Sequence, residues 1–163
     1  MPPVRLSTDH ADGITDVVVD LSTGAPTILY WGRSLGSDVD LDTVAHALER
    51  PIVHGTFDVV APITMVPEHG SGFVGRPGLS GRRGGGRAWA PRFVTTSHEV
   101  VGNHLVVDAA DEVAGLALRT TITLAETLRV WAELTNTADR RYSLDGLTVT
   151  MPLPHHGPAL MTF

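Results

Sequence analysis

Apolar and polar residues alternate with a period of two along most of this chain, and that alternation predicts strands. From Leu116 to Leu124, Leu118, Thr120, Ile122 and Leu124 fall on one face and Arg119, Thr121 and Thr123 on the other. From Leu128 to Thr135, Leu128, Val130, Ala132 and Leu134 oppose Arg129, Trp131, Glu133 and Thr135. The β-branched run Thr15 to Leu21 closes on the turn residues Ser22 to Pro26, and Thr27 to Trp31 follows as its hairpin partner. Further strands are expected at Phe57 to Val66, where Pro62 demotes the run to an edge strand or two short pieces, and within Ala90 to Val101. In the latter, Phe93, Thr95, Ser97 and Glu99 should share a face. His104 to Ala109, after a Gly102-Asn103 turn, and Tyr142 to Leu153, after a turn over Asn136 to Arg140, complete the set. Leu41 to Arg50 alone has helical spacing, with Asp42 as candidate cap and Pro51 as stop.

Short strands with frequent turns predict an all-β fold, a two-sheet antiparallel β-sandwich with one or two short helices. The stretch His69 to Arg87 breaks the pattern. It holds eight glycines and four arginines, and its apolar residues are Phe73, Val74 and Leu79. Such a run is expected to be a long, mobile loop projecting from the sandwich, and long loops are often functional.

At 163 residues and 42% hydrophobic content the chain suits one globular domain. The net charge of −6 argues against general affinity for nucleic acid or an anionic membrane. All 12 basic residues are arginine, and cysteine is absent, which excludes disulfides and thiolate metal sites. No apolar h-region opens the chain and no stretch reaches the ~18 apolar residues needed to span a bilayer. A cytoplasmic protein is the expectation. The chain ends on the apolar Met161-Thr162-Phe163, which reads as a lead into further elements of a longer protein.

Candidate chemistry within the chain is thin. His46, His54, His69, His98 and His104 are scattered, and the adjacent His155 and His156 would point to opposite faces of a strand, so no metal site is expected. Asp108, Asp111 and Glu112 cluster about a turn, where such residues are normally solvated. Gly84 to Arg87 reads as a flexible loop, and a single such run on an acidic chain is too little for an RNA-binding segment. Sugars stack on aromatic faces, which makes Trp31, Trp89 and Trp131 candidates. Of Tyr30 and Trp31, one should face the core. Trp131 lies opposite Leu128 and Leu134, on a face expected to meet a second sheet or another domain.

The segments ILYWG (Ile28 to Gly32), SGFVGRPGL (Ser71 to Leu79), DEVAGLALRTTITL (Asp111 to Leu124) and ELTNTADRRYSLDGLTVTMPLP (Glu133 to Pro154) resemble the start of glycoside hydrolase family 36 α-galactosidases. That resemblance implies an N-terminal β-supersandwich over residues 1–163, followed in the parent protein by a catalytic (β/α)₈ barrel absent from this chain. It implies a retaining enzyme that releases terminal α-linked galactose from oligosaccharides such as raffinose, using two aspartates on barrel strands. No position here matches those catalytic motifs, so the chain alone should be inactive. Gly84-Gly85-Gly86-Arg87 resembles the family's sugar-binding SGGGR element but lacks its serine and its aspartate. The implied partners are the barrel of the same chain, further subunits of a tetramer and a galactoside, with no cofactor. Phe73, Arg76 and Trp89 would then help to line a neighbouring subunit's site. A stand-alone carbohydrate-binding or protein-interaction sandwich stays open as the alternative.

Overall fold

The computed structural model describes residues 1–11, 13–49, 52, 54–55 and 60–152. The expected helix stop at Pro51, the start of the expected strand at Phe57, and the tail with Leu153, His155 and His156 lie outside the described residues.

The architecture is all-β and antiparallel, with one short helix. Strands β1 (Val4–His10), β2 (Gly13–Asp20) and β3 (Thr27–Arg33) form a three-stranded sheet in the order β1-β2-β3. Strands β5 (Val94–Val101), β6 (His104–Asp111), β7 (Leu116–Leu124) and β8 (Leu128–Asn136) form a four-stranded meander. Strands β4 (Leu79–Arg83) and β9 (Tyr142–Leu147) pair as a separate ribbon.

The inner face of the meander is covered in two halves. Leu105, Val107, Ile122 and Leu124 pack against Leu6, Val17, Val19, Leu21 and Ile28 of the three-stranded sheet. Ala109, Leu116 and Leu118 pack with Leu79, Val66 and Phe93 beneath the β4–β9 ribbon. Each fully buried Val, Leu or Ile contributes roughly 1.5–3 kcal/mol, so the two clusters together are what hold the layers. The alternation predicted for β8 is observed, with Arg129, Trp131, Glu133 and Thr135 exposed, and in β7 the inward set is buried and Arg119 exposed, whereas Thr121 on the outer face is buried as well.

Four expectations change. Ser97 and Glu99 do not share a face with Phe93 and Thr95, because a β-bulge at Thr96 shifts the register, and Ser97 comes opposite Asp108 on the outer face. The residues described from Val60 to Val66 form no strand, and the chain bends at Met65 and Val66. Pro62 removes one donor, and Met65 bonds on both sides to other segments, its N–H donating to Pro26 O at 2.7 Å and its carbonyl accepting from Thr150 N at 2.7 Å. The last strand stops at Leu147, where the chain leaves β4, and Thr148 N donates instead to Gly78 O at 2.7 Å. Helix α1 (Leu41–Ala47) is capped by Asp40, whose carboxylate accepts from Asp42 N and Thr43 N, rather than by Asp42, and it buries none of its residues.

The run His69 to Arg87 is not one long projecting loop. Its second half is strand β4, with Leu79 buried against the meander. Its first half is a loop closed at its base, where Gly78 N donates to Pro67 O at 2.8 Å. Gly78 is required there, because a Cβ would stand 2.8 Å from Thr148 O and 2.9 Å from Val66 Cα. The exposed parts are Gly72, the tip Val74 to Arg76, Arg82 and the turn Gly84 to Arg87.

Strand β1 was absent from the expected set. Its pattern is masked by polar residues that sit on a covered outer face. There Asp16 is fully buried, and its carboxylate accepts from Arg5 Nη2 at 2.6 Å, Ser7 Oγ at 2.7 Å and Leu35 N at 2.7 Å. Burial acts to raise the Asp16 pKa, but the Ser7, Leu35 and Arg5 hydrogen bonds outweigh it and hold the carboxyl below the usual range.

Candidate functional site

The loop closed by Pro67 and Gly78 is built on Glu68. Its side chain is 3% exposed, and Oε2 accepts from Phe93 N at 3.0 Å, with a second bond from the Ala25 backbone N–H. The residue therefore ties three segments together: the turn after β2, the loop itself and the entry to β5. Gly24, at φ +49°, leaves room for this contact, since a Cβ there would run into the Phe93 carbonyl. Burial pushes the Glu68 carboxyl up to about 7, against the lowering effect of the two backbone donors. Asp111 adds to the rise and Arg92 opposes it.

Above Glu68 the loop is held by its own hydrogen bonds. Residues His69 to Ser71 make one 3₁₀ turn. Ser71 Oγ donates to Glu68 O at 2.8 Å and Gly72 N donates to His69 O at 3.0 Å. His69 Nδ1 lies 2.9 Å from Phe73 O, and since a carbonyl only accepts, Nδ1 carries the proton. Phe73 is half-buried and folds back over Gly75, where an added Cβ would stand 2.6 Å from its ring.

Trp89 reaches the same place from a different segment. Ala88 takes the left-handed conformation at φ 53°, an uncommon one for a residue with a Cβ, and the chain turns there after β4. Trp89 is 60% exposed, and its ring lies 5.8 Å from the His69 imidazole at 52°. Of the three residues expected from the sequence, Phe73 and Trp89 are thus brought together through His69. Arg76 is exposed near the loop's tip, with no hydrogen-bonded partner among the described residues. Beside Trp89, a cleft of about 560 Å³ opens between the segment Arg87 to Ala90 and the turn Asp111 to Gly115.

The carboxylates singled out in the sequence are engaged elsewhere. Asp108 accepts from Arg119 Nε at 2.7 Å and Nη2 at 3.1 Å on the outer face, and that pairing holds its carboxyl below the usual range. Asp111 holds the backbone, accepting from Ala114 N at 2.9 Å and Arg92 N at 2.8 Å. Among the described residues no group of three or more His, Asp or Glu side chains converges to hold a metal ion. Trp131 is 44% exposed on the outer face of the meander, 6.3 Å from His104, whose Nδ1 lies 2.8 Å from Thr123 Oγ1.

Sequence reasoning missed Glu68 and Arg83. Arg83 falls in the run expected to be a mobile loop. Its guanidinium instead donates to the carbonyls of Ala114, Gly115 and Arg140 and to Asn136 Oδ1, and lies 5.6 Å from the Tyr142 ring centroid. Neither residue has a periodic signal, because both act on backbone groups distant in sequence.

Fold and site define an all-β sandwich domain that carries an aromatic loop on a rigid carboxylate foundation. Residues 24–163 match the glycosyl hydrolase family 36 N-terminal domain, and the chain belongs to that family. It is 31% identical over 138 residues to a protein of Escherichia coli named alpha-galactosidase, an alignment that takes in 83% of this chain and 19% of that protein. The chain thus spans about a fifth of the length of that relative.

Proposed function

We propose that this chain is the non-catalytic N-terminal domain of a retaining α-galactosidase that removes terminal α-linked galactose from oligosaccharides such as raffinose. Its tasks are to support the catalytic barrel and a tetrameric assembly, and to offer the Glu68-based loop to a galactoside held in a neighbouring subunit. Family membership and the similarity to the Escherichia coli protein support the enzyme class.

The observation that carries the division of labour is the state of the carboxylates. A retaining glycosidase needs two of them roughly 5–5.5 Å apart and free to reach the anomeric carbon and the leaving oxygen. Here Asp108 is bound by arginine, Asp111 holds two backbone amides, and Glu68 is buried. The exposed groups are instead those of a binding surface. The Trp89 ring can cover the C–H face of a galactose ring, and the Arg76 guanidinium can donate to its hydroxyls.

The test is kinetic, in the enzyme that carries this domain. Phe73→Ala, Arg76→Ala and Trp89→Ala should each lower kcat/KM toward raffinose roughly tenfold, equivalent to about 1.4 kcal/mol, chiefly through KM. Unchanged kinetics in all three variants would reduce the loop to a structural element.

A further inference from the structure

A second surface has the features of a binding site and lies at the opposite half of the core from the Trp89 loop. On the inner face of the three-stranded sheet, Leu6, Val17 and Trp31 form one cross-strand row, and Thr8, Thr15 and Arg33 the next. The first row begins in the core, with Leu6 and Val17 buried, but ends on the edge strand β3 with the indole of Trp31 37% exposed. The opposing layer here is the β7–β8 hairpin, with Leu124 and Leu128 and the tight turn Ala125 to Thr127. The two layers part at this end. They leave an open cleft of about 740 Å³ whose apolar wall is Trp31 and Leu128, and whose rim carries Arg33 and Glu126.

Those two rim side chains make no hydrogen bond or ion pair among the described residues, in contrast to Arg5, Asp16, Arg83 and Asp108. A buried apolar row opening into a mouth with an aromatic platform and a few unengaged polar groups is the usual form of a small-molecule site. The charge on the rim narrows the ligand. One carboxylate and one guanidinium leave the rim without net charge, so it offers no excess of positive charge to a phosphate or carboxylate ligand, whereas an acceptor and a donor together suit neutral hydroxyls. An indole face suits the C–H face of a pyranose ring.

We propose that the mouth of the sandwich at Trp31 is a second carbohydrate-binding site, taking a neutral hexopyranoside or short oligosaccharide with its ring on Trp31 and its hydroxyls on Arg33 and Glu126. The site goes beyond the role assigned to the Trp89 loop and does not depend on it.

The experiment is a titration of this chain with raffinose, followed by backbone amide NMR shifts, with inorganic phosphate as the charged comparison. Saturable shifts in the millimolar range should map to Thr15, Trp31, Arg33 and Glu126, and phosphate should produce none there. Trp31→Ala should abolish the response. Glu126→Gln, on an exposed turn where folding is not at risk, should weaken it severalfold at unchanged melting temperature. Trp89→Ala should leave it intact. Absence of saturable shifts at the mouth, persistence of the shifts in both Trp31→Ala and Glu126→Gln, or their loss in Trp89→Ala would each overturn the proposal.

Discussion

Arg82 and Arg83 are neighbours in one strand and should respond in opposite ways to the same substitution. Arg82 donates to Asp145 at 3.1 Å, and both partners are more than half exposed. Exposed pairs contribute roughly 0–1 kcal/mol, so Arg82→Ala should change stability by less than about 0.5 kcal/mol. Arg83 meets the Ala114 carbonyl with Nε at 2.9 Å and Nη2 at 2.7 Å, and Ala114 is buried. Gly115 O would keep Thr137 N as a second donor at 2.9 Å, but no other donor reaches Ala114 O among the described residues. Leaving one buried carbonyl unsatisfied costs about 1–3 kcal/mol, and losing the contact with Tyr142 adds roughly 0.5–1 kcal/mol. Arg83→Ala should therefore cost about 3 kcal/mol, or roughly 6–12 °C in Tm for a domain of this size. Arg83→Lys should recover only part, since an ammonium cannot reproduce the planar fork that meets several acceptors at once. Urea denaturation followed by tryptophan fluorescence measures all three variants. Equal, small losses at both positions would refute the assignment of Arg83 as the clamp between β4, the β6–β7 turn and the β8–β9 turn.

The Glu68 carboxyl, raised from 4.5 to about 7, binds a proton in the folded chain at pH values where the unfolded chain has released it, so its contribution to stability is full below about pH 4.5 and is lost as pH rises toward 7. The loss is on the order of 3 kcal/mol; denaturation midpoints between pH 4.5 and 7.5 should fall more steeply in the natural chain than in Glu68→Gln, and parallel curves would remove Glu68 as the cause. Thr120 is buried in β7 with no partner for its hydroxyl among the described residues, so Thr120→Val should stabilise the chain by about 1 kcal/mol, and a lowered Tm would show that the hydroxyl is satisfied. The chain by itself should not hydrolyse p-nitrophenyl α-galactoside, and turnover lost on Asp108→Asn or Asp111→Asn would place a catalytic carboxylate within it.

What could be read from the sequence follows from which face of each strand is buried. Strands β6 and β8 have one covered face, as does β7 apart from the buried Thr121, so alternation shows both their existence and their orientation. Strand β2 is covered on both faces from Asp16 to Val19, and its continuous VVV run still reads as a strand. Strand β1 fails because its outer positions Arg5 and Ser7 are polar for a reason outside the strand, namely the buried Asp16 across from them. Strand β4 fails because Ser80, Gly81, Arg82 and Arg83 carry almost no apolar signal. Gly81 is needed where a Cβ would press on Tyr142 and Ser143 O, and Arg83 is recruited by carbonyls of remote turns.

The site was legible in part for the same reason. Phe73 and Trp89 stand out as large aromatics in and just after a glycine-rich stretch, and in the structure both meet His69, Trp89 through its ring and Phe73 through its backbone carbonyl. What brings them together could not be read locally. Glu68 bonds the backbone of residues 25 and 93, and only the folded chain makes those positions neighbours. Sequence distance hides such a residue even when its energetic weight is large. Burying a carboxylate costs several kcal/mol unless hydrogen bonds offset it, and here two backbone N–H groups offset that cost only in part, so the Glu68 carboxyl stays raised to about 7. The aromatic loop thus stands on a group whose charge state changes near neutral pH, and its geometry is coupled to the turn after β2 and to the entry of β5. A substitution at Gly24, some distance from either aromatic ring, would press on the Phe93 carbonyl and disturb the loop through that shared anchor.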